Sequence, residues 1–198
     1  MDAGKETGMS SFSDYSERLQ GVLSSMDWAP VEMLAQDLLT CWKDGRQVFI
    51  CGNGGSAGNA IHIANDFLYG IAKEDGLGLR VHALPANSFV LTCLANDEGY
   101  EHIFSKQLAV LAQPNDVVIV LSGSGNSPNI LKTLECAKQM SVKSYGILGF
   151  SGGKAKAMAD QAIHFAIDDM QISEDAQIIV CHMVMQWLYE RRGEIKNA

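Results

Sequence analysis

From Gln47 onward the chain repeats one pattern: a short apolar run, a loop of small residues, then a stretch with helical spacing. The runs are QVFIC, RVHAL, DVVIVL, KSYGILG and QAIHFAI. Runs this short suit strands better than helices, and their nearly continuous apolar character calls for cover on both faces. Strands that alternate with helices pair in parallel, because a parallel pair needs a crossover. The pattern predicts an open five-stranded α/β sheet of doubly wound, flavodoxin-like type, with helices on both sides. At 198 residues and 47% apolar content, one domain can fill its own core.

Ahead of the sheet, Phe12, Tyr15, Leu19, Val22, Leu23 and Met26 recur at helical steps. Pro30 opens a second helix with Leu34, Leu38 and Trp42 on its apolar side, and Gly45 stops it. The expected organisation is a flexible polar tail over 1–10 and a single domain over 11–198. Within it lie a helical hairpin (11–45) and an α/β core (46–192) that closes with a helix from about Ser173 to Arg192. Fifteen basic against twenty-three acidic residues give a net charge of −8, which argues against a nucleic-acid partner. No apolar run is long enough to span a bilayer, and no secretory signal opens the chain. Five widely spaced cysteines without a CxxC fit a reducing cytoplasm, with Cys51 and Cys181 as small buried fillers.

In an open α/β sheet a ligand sits beyond the carboxyl ends of the strands, so the loops after the strands carry the function. The first is Cys51-Gly52-Asn53-Gly54-Gly55-Ser56-Ala57, which formally matches the dinucleotide pattern GxGxxA. A nicotinamide site also wants an acidic residue at the end of the second strand. That strand runs into Leu84-Pro85-Ala86-Asn87-Ser88, and Glu74 and Asp75 precede it, which leaves the dinucleotide reading as a minor third option. The second loop is Leu121-Ser122-Gly123-Ser124-Gly125-Asn126-Ser127-Pro128-Asn129. Three hydroxyls and a freed backbone at a helix N-terminus make a phosphate site that needs no arginine. Neither loop contains GK[ST], which argues against a nucleoside triphosphatase.

CGNGGSA, LANDEGYEHIFSKQL, LSGSGNSPN and GGK, in that order, resemble the sugar isomerase (SIS) domain proteins, and among them the phosphoheptose isomerase group. The resemblance spans about Val48 to Glu190. It implies a five-stranded parallel sheet, a homotetramer with sites at subunit contacts, and conversion of sedoheptulose 7-phosphate to glycero-manno-heptose 7-phosphate for heptose-containing glycans such as lipopolysaccharide or capsule. By position, Ser122, Gly123, Ser124 and Ser127 would hold phosphate, and Asn53, Gly54, Gly55, Asn96 and Asp97 would line the sugar. His62 and Asp66, four apart on one helix, share a face; by themselves they read as a surface ion pair or as ligands of one cation. The resemblance favours a divalent metal, zinc, one per subunit, held by His62, Asp66, Glu174 and His182. Glu174 and His182 stand about 12 Å apart along an ideal helix, so reach, an irregular turn or a neighbouring subunit must close that gap. His82 and His164 are expected to be packed within strands, and His102 to lie on a helix surface.

Ketose–aldose exchange moves a proton between C1 and C2 through an enediol, which a carboxylate and an imidazole can manage. Asp66 is the expected base and His182 its acid partner, with Asp66 and Glu174 also counted among the substrate contacts. The chain departs from the family at Asp66 (usually Glu), Glu174 (usually Gln), Gly123 (often a hydroxyl residue) and Gly70-Ile71 (often Gly-Arg). The competing reading is a non-catalytic SIS module that binds phosphosugar or a protein partner, like the family's regulator of replication initiation.

Overall fold

The structure, a computed structural model, describes residues 12–74 and 76–195; the expected 1–10 tail lies outside them. Two helices come first, α1 (Phe12–Ser24) and α2 (Ala29–Lys43). Pro30 lies in the first turn of α2, where a missing N–H costs nothing, and Gly45 at φ 65° turns the chain away from the helix end. No residue of α1 is buried.

The core then alternates β1 (Gln47–Gly52), α3 (Gly55–Leu68), β2 (Arg80–Ala83), α4 (Ser88–Asp97), α5 (Ser105–Leu111), β3 (Val117–Ser122), α6 (Pro128–Gln139), β4 (Lys143–Leu148), α7 (Ala155–Met158), β5 (Gln161–His164) and α8 (Met170–Glu190). The five strands form one sheet in the order β2-β1-β3-β4-β5, and every pairing is parallel. The order reverses between β1 and β3, so the glycine loop and the serine loop emerge side by side at the point where open α/β sheets bind ligands.

Successive strand residues feed opposite faces. Val48, Ile50, Ile119, Leu121 and Ile147 pack with α2, α3 and α8 on one side, while Phe49, Cys51, Val118, Val120 and Leu148 pack with α5 and α6 on the other. Each fully buried Ile, Leu, Val or Phe contributes about 1.5–3 kcal/mol of transfer free energy, so the two clusters hold the sheet from both sides. At the amino end of the sheet the Tyr145 hydroxyl bonds Asp37, which also pairs with Lys143 Nζ at 2.5 Å.

Three local expectations change. β5 stops at His164 rather than running to Ile167, because the Ile167 N–H turns back to the Phe165 carbonyl at 2.8 Å. α8 begins at Met170, ahead of Ser173, because the Asp169 side chain caps it by accepting from Ile172 N at 3.0 Å. His82 is exposed rather than packed: β2 is an edge strand, and the imidazole stacks on Phe49 with ring centroids 5.2 Å apart. His164 is half-buried, its Nε2 2.9 Å from the Phe150 carbonyl, and His102 is half-buried in a 3-10 turn. Cys51 and Cys181 are buried as expected, as is Cys41, and burial pushes the thiols of Cys51 and Cys181 up to about 12. Among the described residues no helix is long and apolar enough to cross a membrane.

Candidate active site

The two loops and the start of α8 enclose a pocket of about 270 Å³. From the first loop it takes Asn53, Gly54, Gly55 and Ser56, and from the second Ser122, Gly123, Ser124 and Ser127. Met170 and Glu174 of α8 close it. Gly54 adopts φ 55°, which a residue with a side chain resists, and this turns the backbone from β1 into α3. No side chain caps α3, and its first turn carries no acidic residue of its own.

In the serine loop, the Ser122 hydroxyl accepts from Gly125 N at 3.0 Å and Ser124 Oγ from Asn126 N at 3.3 Å. Those bonds spend acceptor capacity and leave both hydroxyl hydrogens for a ligand. Ser127 is the N-cap residue of α6, yet its hydroxyl makes no capping bond. The loop therefore offers several donors beside a helix N-terminus, an arrangement suited to an anion.

Glu174 is the one charged side chain lining this pocket, and it forms no ion pair among the described residues. Its carboxylate rests against Gly55: a Cβ built there would lie 2.2 Å from Oε2. Gly123 is similarly covered, since an added Cβ would meet Met170 Sδ at 2.6 Å. Met170 fills the space that a side chain at this position would take.

Two turns along α3 lies a second group. His62 Nε2 and His182 Nε2 are 3.0 Å apart, and Asp66 Oδ2 lies 3.5 and 3.4 Å from them. The three atoms together can hold a metal ion. Ligand atoms bonded at about 2.0–2.1 Å in a tetrahedral site stand roughly 3.3 Å from one another, so this spacing fits a small divalent ion without rearrangement. Two imidazoles and a carboxylate are donors of the right softness for such an ion.

The structure brings together His62, Asp66 and His182, and it brings Glu174 to the serine pocket instead. The reason is the helix itself: eight residues of rise keep Glu174 and His182 at opposite ends of the site. α3 and α8 run side by side in the same direction, Gly55 against Glu174 and His62 against His182. Between these ends Asn59 Nδ2 donates to the Glu174 carbonyl and to Gln177 Oε1, both at 3.0 Å. Ile71, where an arginine often stands in the family, is fully buried in the core.

Asn96 and Asp97 are exposed at the end of α4 and bonded to each other at 2.7 Å, outside the lining of the serine pocket. α4 buries none of its residues, so nothing in the fold draws them inward. The sequence reading did not single out Ser56, Met170, Tyr100 or Asn129. Asn129 had a signal, since it stands in SGSGNSPN, but its contact with Asn53 is visible only in three dimensions.

The SIS domain family model matches residues 11–149. The chain belongs to the SIS domain family. The match covers the glycine loop, His62, Asp66 and the serine loop, and it ends before α8, which carries Glu174 and His182. Among curated SIS relatives, the phosphoheptose isomerase of Trichlorobacter lovleyi is 40% identical over 156 residues, 79% of each chain. That of Helicobacter pylori strain HPAG1 is 36% identical over 186 residues, 94% of this chain and 95% of the relative. Among solved structures, a phosphoheptose isomerase from Francisella tularensis superposes with a TM-score of 0.85 at 25% identity, covering 90% of this chain and 94% of the other. The one from Neisseria gonorrhoeae gives 0.81 at 27% identity, covering 89% and 94%.

Proposed function

We propose that this SIS domain is a phosphosugar isomerase that converts sedoheptulose 7-phosphate to glycero-manno-heptose 7-phosphate. The observation that carries this reading is the spacing of the two groups along α3. Gly55 lines the serine pocket and His62 belongs to the His/Asp/His trio, seven residues on, which is about 10 Å of helix. A seven-carbon chain with a terminal phosphate ester spans on the order of 10 Å when extended, at about 1.5 Å per carbon–carbon bond before bond angles shorten it. Such a molecule reaches from the serine loop to the trio with its C1–C2 end beside the titratable groups. The curated relatives named phosphoheptose isomerase support the same assignment.

In this scheme Ser122, Ser124, Ser127 and the α6 N-terminus take the phosphate, with Gly123 lining the pocket between them. Asn53, Gly54 and Gly55 hold the sugar. Asp66 removes a proton from C1 and later returns it at C2. His182, through Nδ1, the ring nitrogen not turned to His62, gives a proton to the C2 oxygen as the enediol forms, then takes the one on the C1 oxygen as the aldehyde appears. Asp66 Oδ2 faces both imidazoles, while Oδ1, which accepts from Asn65 Nδ2 at 3.4 Å, keeps a lone pair for the carbon-bound proton. The trio would hold one divalent ion per chain, zinc by its donor set, and such an ion would supply Lewis acidity toward the sugar oxygens.

Exposed Phe89 and Val110, 85% and 82% accessible, together with the unburied faces of α1 and α4, support assembly into a homotetramer whose contacts border the sites. A cytoplasmic enzyme that supplies heptose for a surface glycan is the corresponding cellular reading.

The test is an isomerisation assay with sedoheptulose 7-phosphate on zinc-loaded protein, on chelator-treated protein and on the His182→Ala variant. Turnover that needs both the ion and His182 is expected. Well-folded, metal-loaded protein that binds phosphosugar without converting it would refute the assignment.

A further inference from the structure

The side-chain amide of Asn53 is held from two sides. Its Nδ2 donates to Asn129 Oδ1 at 2.9 Å, and Asn129 Nδ2 donates back to Asn53 Oδ1 at 2.7 Å. The Tyr100 hydroxyl donates to the same Asn53 oxygen at 3.1 Å. The glycine loop, the first turn of α6 and the 3-10 turn Tyr100–His102 meet in this knot.

The orientation of both amides is determined. Asn129 Oδ1 also lies 3.0 Å from the Ile130 backbone N–H, a group that can only donate. Turning the Asn129 amide over would set an NH2 against that N–H, and at 1% exposure no solvent relieves the conflict. Ile130 therefore fixes Asn129, and Asn129 fixes Asn53.

An asparagine amide carries two N–H donors and an oxygen with two lone pairs. Asn129 and Tyr100 occupy both lone pairs of Asn53 Oδ1, and Asn129 takes one hydrogen of Nδ2. One hydrogen is unspent, on a side chain that lines the serine pocket. Asn53 can meet a ligand there as a donor only.

We infer that Asn129 is a positioning residue that locks Asn53 as a one-hydrogen donor to an acceptor oxygen of the bound phosphosugar. Tyr100 completes the lock by donating to the same Asn53 oxygen. The inference rests on the phosphosugar reading for its ligand, and on the hydrogen-bond geometry alone for the lock.

Two measurements test it. In 1H–15N spectra of ligand-free protein, the Asn53 side-chain amide is assigned by its disappearance in Asn53→Ser. One of its hydrogens should exchange with water at least tenfold more slowly than the other, and Asn129→Ala should abolish that difference. Asn129→Asp keeps the oxygen that accepts from Ile130 and from Asn53 Nδ2 but sets its second oxygen against Asn53 Oδ1, so it strains the lock with little change of shape. In calorimetric titrations both variants should lose about tenfold in affinity for sedoheptulose 7-phosphate, the scale of one ligand hydrogen bond. Affinity for inorganic phosphate, which reads the serine loop, should stay within twofold. Equal loss of both ligands would show that Asn129 only scaffolds the loop and would overturn the proposal, as would equal exchange of the two Asn53 hydrogens in the wild type. A wild type that shows the slow hydrogen yet binds no phosphosugar would instead overturn the isomerase assignment, and with it the ligand named here.

Discussion

His62 Nε2 faces His182 Nε2 at 3.0 Å across the seam between α3 and α8, with Asp66 Oδ2 closing the triangle. Two imidazole nitrogens this close need a proton or a cation between them. Titration with zinc or cobalt should show one ion per chain, and His62→Ala should weaken binding at least a hundredfold. Because the His62 side chain is exposed, circular dichroism of that variant should match the wild type. Stripping the ion should lower Tm, since an ion at a hundred times its Kd stabilises the fold by about 2.7 kcal/mol. An unchanged Tm and no stoichiometric binding would remove the metal from the scheme.

Glu174→Gln should tighten binding of inorganic phosphate. The change removes the only charge lining the serine pocket while keeping the shape of the side chain. A carboxylate about 4 Å from a phosphate in a partly solvated pocket opposes it by about 1–4 kcal/mol, so a gain of about tenfold is expected. Calorimetry at two salt concentrations checks it, and the gain should shrink as salt rises.

Gly123→Ser should lower both stability and phosphate affinity, because the new Cβ collides with the Met170 sulfur. Because Met170 is a flexible side chain at 40% exposure, its shift should cost about 1 kcal/mol, the low end of overpacking. Met170→Ala, which clears the space, should recover most of that loss in the double variant. Losses that simply add would mean the two positions do not share a contact.

Asp169 caps α8 and pairs with Arg18 at 2.8 Å, and the bond from Ile172 N–H, more than the guanidinium, holds its carboxyl below the usual range. A lowered carboxyl contributes stability above its unfolded value and loses it as the pH falls through the folded one. Asp169→Ala should therefore cost about 1 kcal/mol near neutral pH, the scale of a lost N-cap. The gap between variant and wild type should close on acidification below the ordinary carboxylate range. Urea melts at neutral and acid pH measure it, and a gap independent of pH would contradict the cap's charge.

The sheet was legible because its strands are apolar at almost every position, which only a doubly covered parallel sheet requires. The serine loop was legible for a similar reason: hydroxyls and glycines between a strand and a helix serve few other purposes. Pairing of His62 with Asp66 followed from helical spacing, but the approach of His182 from α8, 120 residues away, did not. Glu174 shows why. Its sequence position suggested a ligand, whereas the rise of α8 sets its carboxylate on Gly55. Asn129 and Met170 could not be found by spacing, since each matters through one contact with a residue distant in the chain.

The side-by-side run of α3 and α8 has a mechanical consequence. Each helix contributes to the serine pocket through its first turns and to the His/Asp/His trio farther along, and Asn59 fastens the two together between those points. The site is thus spanned by a pair of parallel rails, and its length is set by their register. A slip of one rail along the other would move Glu174 off Gly55 and part His62 from His182 in a single stroke. Whatever fixes that register, including a ligand gripped at either end, calibrates both ends at once.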